Sequence, residues 1–264
     1  NAMSNASRGV NENYARELLE LHTLGVDGGY AEEDVREIAR AFTGWTVARP
    51  LARNRDRNTR VTPGSFVFVR GLHDADEKTV LGKKLPAGRG IEDGEDVLRM
   101  VSRHPSTAKF IARKLVQRFV ADEPPQDFVD ELAAVFTKTD GDLRAVTRAL
   151  FTSPRFYDAK YYNAKIKTPF ELVASALRVT NAQYRMTPQL VQTLRSLGQL
   201  PYTESAPTGF PATSEAWVNS GAMLNRINFG IALASGSFNG VRISWDPANG
   251  DAAKFLGSPE FQRR

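Results

Sequence analysis

The sequence predicts a mainly α-helical fold, a multi-helix globular domain with a small β-hairpin insertion. Three observations carry that prediction. Apolar residues recur at helical spacing between residues 11 and 45 and again in segment after segment from Gly94 onward. Pro and Gly mark most of the breaks between those segments. One stretch, about 46–90, interrupts the pattern with short β-branched and aromatic runs. No internal repeat of fixed period is visible, so residues 1–264 read as a single domain carrying an insertion.

The first helix is expected from about Asn11 to Leu24, closed by Gly25, with Asp27-Gly28-Gly29 forming a turn tolerant of positive φ. At 100° per residue, Leu21, Tyr14, Leu18, His22, Ala15 and Leu19 fill one arc, and Glu12, Arg16, Glu20, Asn13 and Glu17 fill the other. His22 is therefore expected to point inward, where an imidazole needs a partner. The second helix, about Ala31 to Thr43, places Val35, Ile38, Ala39 and Phe42 on one face. Ala31 at its start supplies no capping hydroxyl. Within the insertion, SFVFVR (65–70) is expected to pair with KTVLGKKL (78–85) as a hairpin or ribbon.

From Gly94 helices follow one another. GEDVLRMVSRH precedes Pro105, which suits the first turn of the next helix. Pro124-Pro125 breaks the chain before a helix with Phe128, Leu132, Val135 and Phe136 on one face. Asp140-Gly141-Asp142 forms a turn and cap before LRAVTRALFTS, and further helices are expected at 169–181 and 188–199. After an irregular loop at 200–213, a helix at about 214–234 is apolar around most of its circumference, with Trp217, Val218, Met223, Leu224, Ile227, Phe229 and Ile231. Such a helix is expected at the centre of the fold.

Composition excludes several classes of chemistry. The absence of cysteine removes disulfides, thiol catalysis and thiolate metal sites. No apolar run approaches the ~18 residues a membrane span needs. The net charge of +5 invites a nucleic-acid reading, but much of the excess is one run, Arg49, Arg53, Arg55, Arg57 and Arg60 against Asp56. It lacks interleaved aromatic residues for base stacking, so a solvated loop is preferred and nucleic acid is not an expected partner. Phosphate-binding glycine loops, nucleophile elbows and dinucleotide fingerprints are also missing.

Two constellations remain. If the insertion folds onto the first helix pair, Glu17, His22, His73 and Asp74 would converge, as catalytic acid–base groups or, through His22, His73 and Asp74, as ligands of a divalent metal. The spacing matches no compact metal motif, so a structural network is preferred and a divalent cofactor is not favoured. On the late helix, Asn225 and Asn228 share an arc with Trp217. They would serve either an internal polar network or a ligand pocket with Trp217 as its stacking wall.

The blocks NENYARELLELHTLGVDGGY, EDVREIARAFTGW, HDADEKTVLG (73–82), GEDVLRMVSRHPSTAKFIARKLVQRFV (94–120), SPRFY (153–157), PTGFP with AWVNSGAMLNRINF (207–229) and LGSPEFQRR follow one another in order. Together they resemble the bacterial family catalogued as domain of unknown function 1800 over nearly the whole chain. The resemblance implies no established activity. Family members are usually longer at the N-terminus, so the chain is expected to be the C-terminal portion of a longer protein, with the absent part packing on it. A cell-envelope or periplasmic location is likewise only implied by the family. The resulting expectation is a non-enzymatic binding or scaffolding module. The alternative is a hydrolase or metal-dependent enzyme using the His/carboxylate cluster.

Overall fold

The structure is a computed structural model that describes residues 10–48 and 62–264; the arginine run at 49–60 lies outside the described residues. Helix α1 (Asn13–Glu17) does not continue as an α-helix, because Leu18–His22 widens into a π-turn. Thr23 Oγ1 donates to the Leu18 carbonyl at 2.6 Å, and Gly25 N–H reaches the Leu19 carbonyl at 2.9 Å. A π-turn closes i→i+5 and holds more residues per turn, so each advances less around the axis than 100°. The wheel therefore overrotates His22. Ala15 and Leu19 are buried as expected, but His22 is exposed, which corrects the inward placement.

The chain divides into two compact units, Asn1–Ala112 with Leu132–Val146, and Arg113–Glu131 with Thr147–Arg264. The boundaries fall inside three helices, α4 (Pro105–Phe119), α5 (Gln126–Lys138) and α6 (Leu143–Thr152), each lying where its apolar spacing put it. The fold is mainly α-helical with small two-stranded antiparallel sheets. Among the described residues, no helix is long and apolar enough to cross a membrane.

In the first unit, α2 (Glu32–Ala41) starts without a hydroxyl cap. Asp34 supplies the reciprocal half of a cap from inside the helix, its Oδ2 accepting the Ala31 N–H at 2.8 Å. β1 (Trp45–Val47) pairs with β2 (Phe66–Phe68), while β3 (Lys78–Val80) folds back on β4 (Lys83–Leu85). The expected pairing of 65–70 with 78–85 is thus corrected. Leu81 and Gly82 both have positive φ, 49° and 76°, the signature of a two-residue turn that closes a hairpin with almost no loop. Two carboxylates of α2 seat that hairpin: Glu37 Oε2 accepts Thr79 N–H at 2.8 Å and Asp34 Oδ1 accepts Leu81 N–H at 2.7 Å. The core beneath holds Leu19, Val35, Ile38, Phe42, Val80, Leu85, Val97 and Val101. Tyr14, Phe42, Trp45 and Phe66 meet edge to face in series, with ring centroids 5.2, 5.0 and 4.9 Å apart.

The second unit gathers α7 (Pro169–Val179), α8 (Pro188–Ser196), α9 (Ser220–Ala234) and α10 (Ala252–Gly257) around Leu172, Leu177, Leu190, Leu194, Phe229, Leu233 and Leu256. Thr168 and Glu171 cap α7 reciprocally, and Asn219 caps α9 through the Ala222 N–H. β5 (Gln183–Tyr184) pairs with β6 (Val241–Arg242). The final residues run antiparallel to 165–167, through Lys165 N–H to the Arg264 carbonyl, Arg264 N–H back to Lys165, and Lys167 N–H to the Gln262 carbonyl.

α9 is not the all-round buried helix its composition predicts. Arg226, Phe229, Gly230 and Leu233 are buried, but Leu224, Ile227 and Ile231 are 59, 38 and 49% exposed. Apolar composition reports what a helix can bury, not how many neighbours the fold supplies.

Trp45 also fixes how closely β1 approaches α3 (Ile91–Ser102): a Cβ added at Gly94 would stand 2.5 Å from the indole. Overpacking at a site this tight costs about 1–3 kcal/mol. Gly94→Ala is therefore expected to lower the urea midpoint without changing the transition's slope.

Candidate functional site

The His73 side chain is completely buried. Its Nδ1 lies 2.9 Å from the Thr43 carbonyl and 3.2 Å from Thr43 Oγ1. A carbonyl only accepts, so Nδ1 carries the proton; Thr43 Oγ1 gives its own hydrogen to the Arg40 carbonyl at 2.6 Å and accepts from the Asp74 N–H at 2.7 Å. Nε2 faces Asp93 Oδ2 at 3.4 Å, outside good hydrogen-bond geometry. Asp93, in the first turn of α3, is 1% exposed.

Lys78 is the principal partner of Asp93. Its Nζ donates to Asp93 Oδ2 at 2.9 Å, to the Asp74 carbonyl at 2.5 Å and to the Asp76 carbonyl at 2.9 Å. All three ammonium protons are thereby used. Arg89 Nε stands 3.0 Å from Asp93 Oδ1, though off the hydrogen-bond line, while its Nη2 donates to Asp96 at 2.6 Å. Asp74 turns to α2 instead, receiving Arg40 Nε at 2.7 Å and Nη2 at 3.2 Å. That bidentate bond holds the Asp74 carboxyl below the usual carboxylate range, against the opposing effect of burial.

Asp93, His73 and Thr43 stand in the order of a hydrolytic triad. The chemistry does not follow from the order. Thr43 is fully buried and its hydroxyl proton is committed to a backbone carbonyl, so no substrate carbon reaches that oxygen. Neighbouring His73 and Asp74 turn to different partners, the imidazole to Thr43 and Asp93 and the carboxylate to Arg40. His22, exposed on the π-turn, and half-buried Glu17 contribute none of the hydrogen bonds or ion pairs that hold them. Among the described residues, no group of three His, Asp or Glu is placed to hold a metal ion. Sequence reasoning missed Thr43, Arg40 and Asp93. An acid in the first turn of a helix ordinarily marks an exposed, dipole-favoured position, which disguises Asp93.

The second unit holds an open cleft of about 630 Å³. Ile166, Val218, Met223, Ile227 and Pro259 supply aliphatic lining, and Asp122, Ser214, Gln262 and Arg263 supply the polar groups. Trp217 is not part of the lining; it is buried beside it, 6% exposed, with Nε1 lacking an acceptor. Asn225 and Asn228 are exposed and also lie outside the lining. Asn225 Nδ2 donates to the Ser196 carbonyl at 3.2 Å, tying α9 to the end of α8.

The family model described as "Protein of unknown function (DUF1800)" matches residues 1–263, nearly the whole chain. The chain belongs to the DUF1800 family. No curated protein and no solved structure matches it.

Two outcomes test the buried cluster of this DUF1800 chain. Removing one partner of a buried ion pair costs about 3–5 kcal/mol, so Asp93→Asn is expected to lower the unfolding free energy by that amount. His22→Ala, at an exposed position, stays within about 0.5 kcal/mol of the parent. The second outcome concerns pH. Because folding depresses the Asp74 carboxyl, its contribution is complete above the unfolded value of about 3.9 and is lost as pH falls through the folded value. Over an acid titration from about pH 5 to about pH 2, Asp74→Asn is expected to lose less stability than the parent, measured by urea unfolding at each pH.

Proposed function

We propose that this chain is a non-enzymatic binding module whose binding site is the cleft of the second unit, flanked by the uncovered side of α9. One observation carries the reading. Leu224, Ile227 and Ile231 stand in solvent on a helix whose one charged residue, Arg226, is buried. Scattered exposed apolar residues are ordinary, but a stripe over consecutive turns beside a cleft is the surface a ligand covers. The cleft's volume and its mixture of aliphatic wall with a few polar groups are those of a small-molecule site.

The ionisable groups give the alternative enzyme reading less support. His73 is engaged by the Thr43 carbonyl, Asp74 by Arg40 and Lys78 by Asp93 inside the first unit, and His22 stands apart on the outside. Groups locked in this way fix a fold; they are not positioned for proton transfer to a substrate.

The uncharged dye N-phenyl-1-naphthylamine tests the cleft without presupposing a head group. Its emission is expected to rise and saturate on titration with the protein. Ile227→Glu should weaken that binding about tenfold or more by placing a carboxylate on the apolar wall, with the unfolding midpoint unchanged. Absence of saturable dye binding, or full binding by Ile227→Glu, overturns the reading.

A further inference from the structure

We propose that the cleft takes a medium-chain alkyl carboxylate, its chain along Val218, Met223 and Ile227 and its carboxylate on the Arg263 guanidinium. The proposal rests on the cleft being an apolar binding site and adds the class of ligand.

The polar groups of the cleft are nearly all committed. Asp122 receives the Lys165 ammonium on Oδ1 and the Ser214 N–H on Oδ2 at 2.8 Å. Burial alone would push its carboxyl up, but Lys165 and Ser214 outweigh it and hold the group low, so Asp122 stays ionised and neutralised by Lys165. Ser214 Oγ accepts the Ile166 N–H at 3.0 Å. Gln262 accepts from Arg226 Nε at 2.7 Å and donates to the Leu256 carbonyl at 2.8 Å. A peptide brings an amide N–H and a carbonyl with every residue, and these side chains, already turned to partners within the protein, leave few groups to match them. An alkyl chain asks for none.

Arg263 is the exception. It is exposed, and its Nη1 makes a marginal contact of 3.5 Å to the Asn163 carbonyl. Among the described residues, no carboxylate lies within ion-pair distance of it; exposed Glu260 and Glu215, the acids closest along the chain to Arg263 and Ser214, are not part of the lining. A planar guanidinium at the edge of an apolar cleft is matched by a carboxylate.

An independent observation gives the same sign of charge. Arg226 is 1% exposed, and its guanidinium bonds the Gln262 side chain and the Lys167 carbonyl but no carboxylate, with Nη1 unpartnered. Burial lowers its pKa to about 10, which leaves it cationic at neutral pH. Lys167 lies 3.9 Å over the Phe261 ring and donates to the Phe261 carbonyl, again with no carboxylate bonded. Glu171 is already shared by Arg118 and Arg264. The tail that carries Arg263 therefore lies beside a net excess of positive charge, with Glu171 divided among Lys167, Arg118 and Arg264 and no carboxylate on Arg226, which favours an anion at its exposed end.

Displacement of N-phenyl-1-naphthylamine tests the head group, with decanoate kept below its micelle-forming concentration and calorimetry as a second readout. Decanoate is expected to bind about tenfold more tightly than decan-1-ol or decylamine, the range of a charge-assisted bond. Arg263→Gln should bring decanoate level with decanol, and Ile227→Glu should weaken both. Equal binding of decanoate and decanol, or a preference that survives Arg263→Gln, overturns the proposal while dye binding keeps the cleft reading intact. A leucine-rich tripeptide with a free C-terminus binding more tightly than decanoate overturns it in favour of a peptide ligand. Failure of the dye itself to bind removes the cleft reading and this proposal together.

Discussion

The Lys78–Asp93 contact is the constraint on which the first unit's candidate residues depend. An ammonium and a carboxylate at 1% exposure each are costly to withdraw from water, and mutual attraction alone seldom offsets that cost. Here the remaining ammonium protons go to the Asp74 and Asp76 carbonyls, so no donor is stranded. The same three bonds draw the 74–76 backbone against Lys78 and the first turn of α3. His73 is then held between Thr43 and Asp93, and Asp74 is left facing Arg40. The placement of the imidazole is a consequence of that lysine.

The two units handle buried charge differently. The first surrounds acids with bases in reciprocal ion pairs: Lys78 with Asp93, Arg40 with Asp74 and Glu37. The second pairs Lys165 with Asp122 but places Arg226 against a neutral amide and a backbone carbonyl, which leaves its charge uncancelled and Nη1 without a partner. A protein that needs only stability has little reason to keep such a cation, since a well-packed apolar residue serves as well. Arg226 lies on the same helix as the exposed Leu224, Ile227 and Ile231.

The helices were largely legible in the sequence because periodicity reports burial directly. Pro105, Pro169 and Pro188 each stand at the first position of a helix, where proline's fixed φ is an advantage. What escaped were features that depend on departures from regular geometry or on distant partners. His22 was misplaced because a wheel assumes 3.6 residues per turn through a stretch that is a π-turn. The hairpin pairing was misassigned because Leu81, an unusual residue at positive φ, concealed a two-residue turn that Asp34 of α2 helps to hold. In the cluster, His73 and Asp74 stood out by residue type, whereas Asp93 and Thr43 are ordinary in composition and acquire meaning only through tertiary neighbours. The cleft was invisible for the same reason, being assembled from residues scattered between Asp122 and Arg263.

The pairing of 165–167 with 262–264 has a consequence for biosynthesis. Arg226 is made before Gln262 exists to accept its Nε proton, and Lys165 well before Arg264 can align beside it. During translation the guanidinium must stay hydrated, which keeps α9 from settling into its final bed. The strand-like pairing of the second unit can close only after residues 262–264 have been made, so until then that half of the nascent chain is unfinished and dependent on not aggregating.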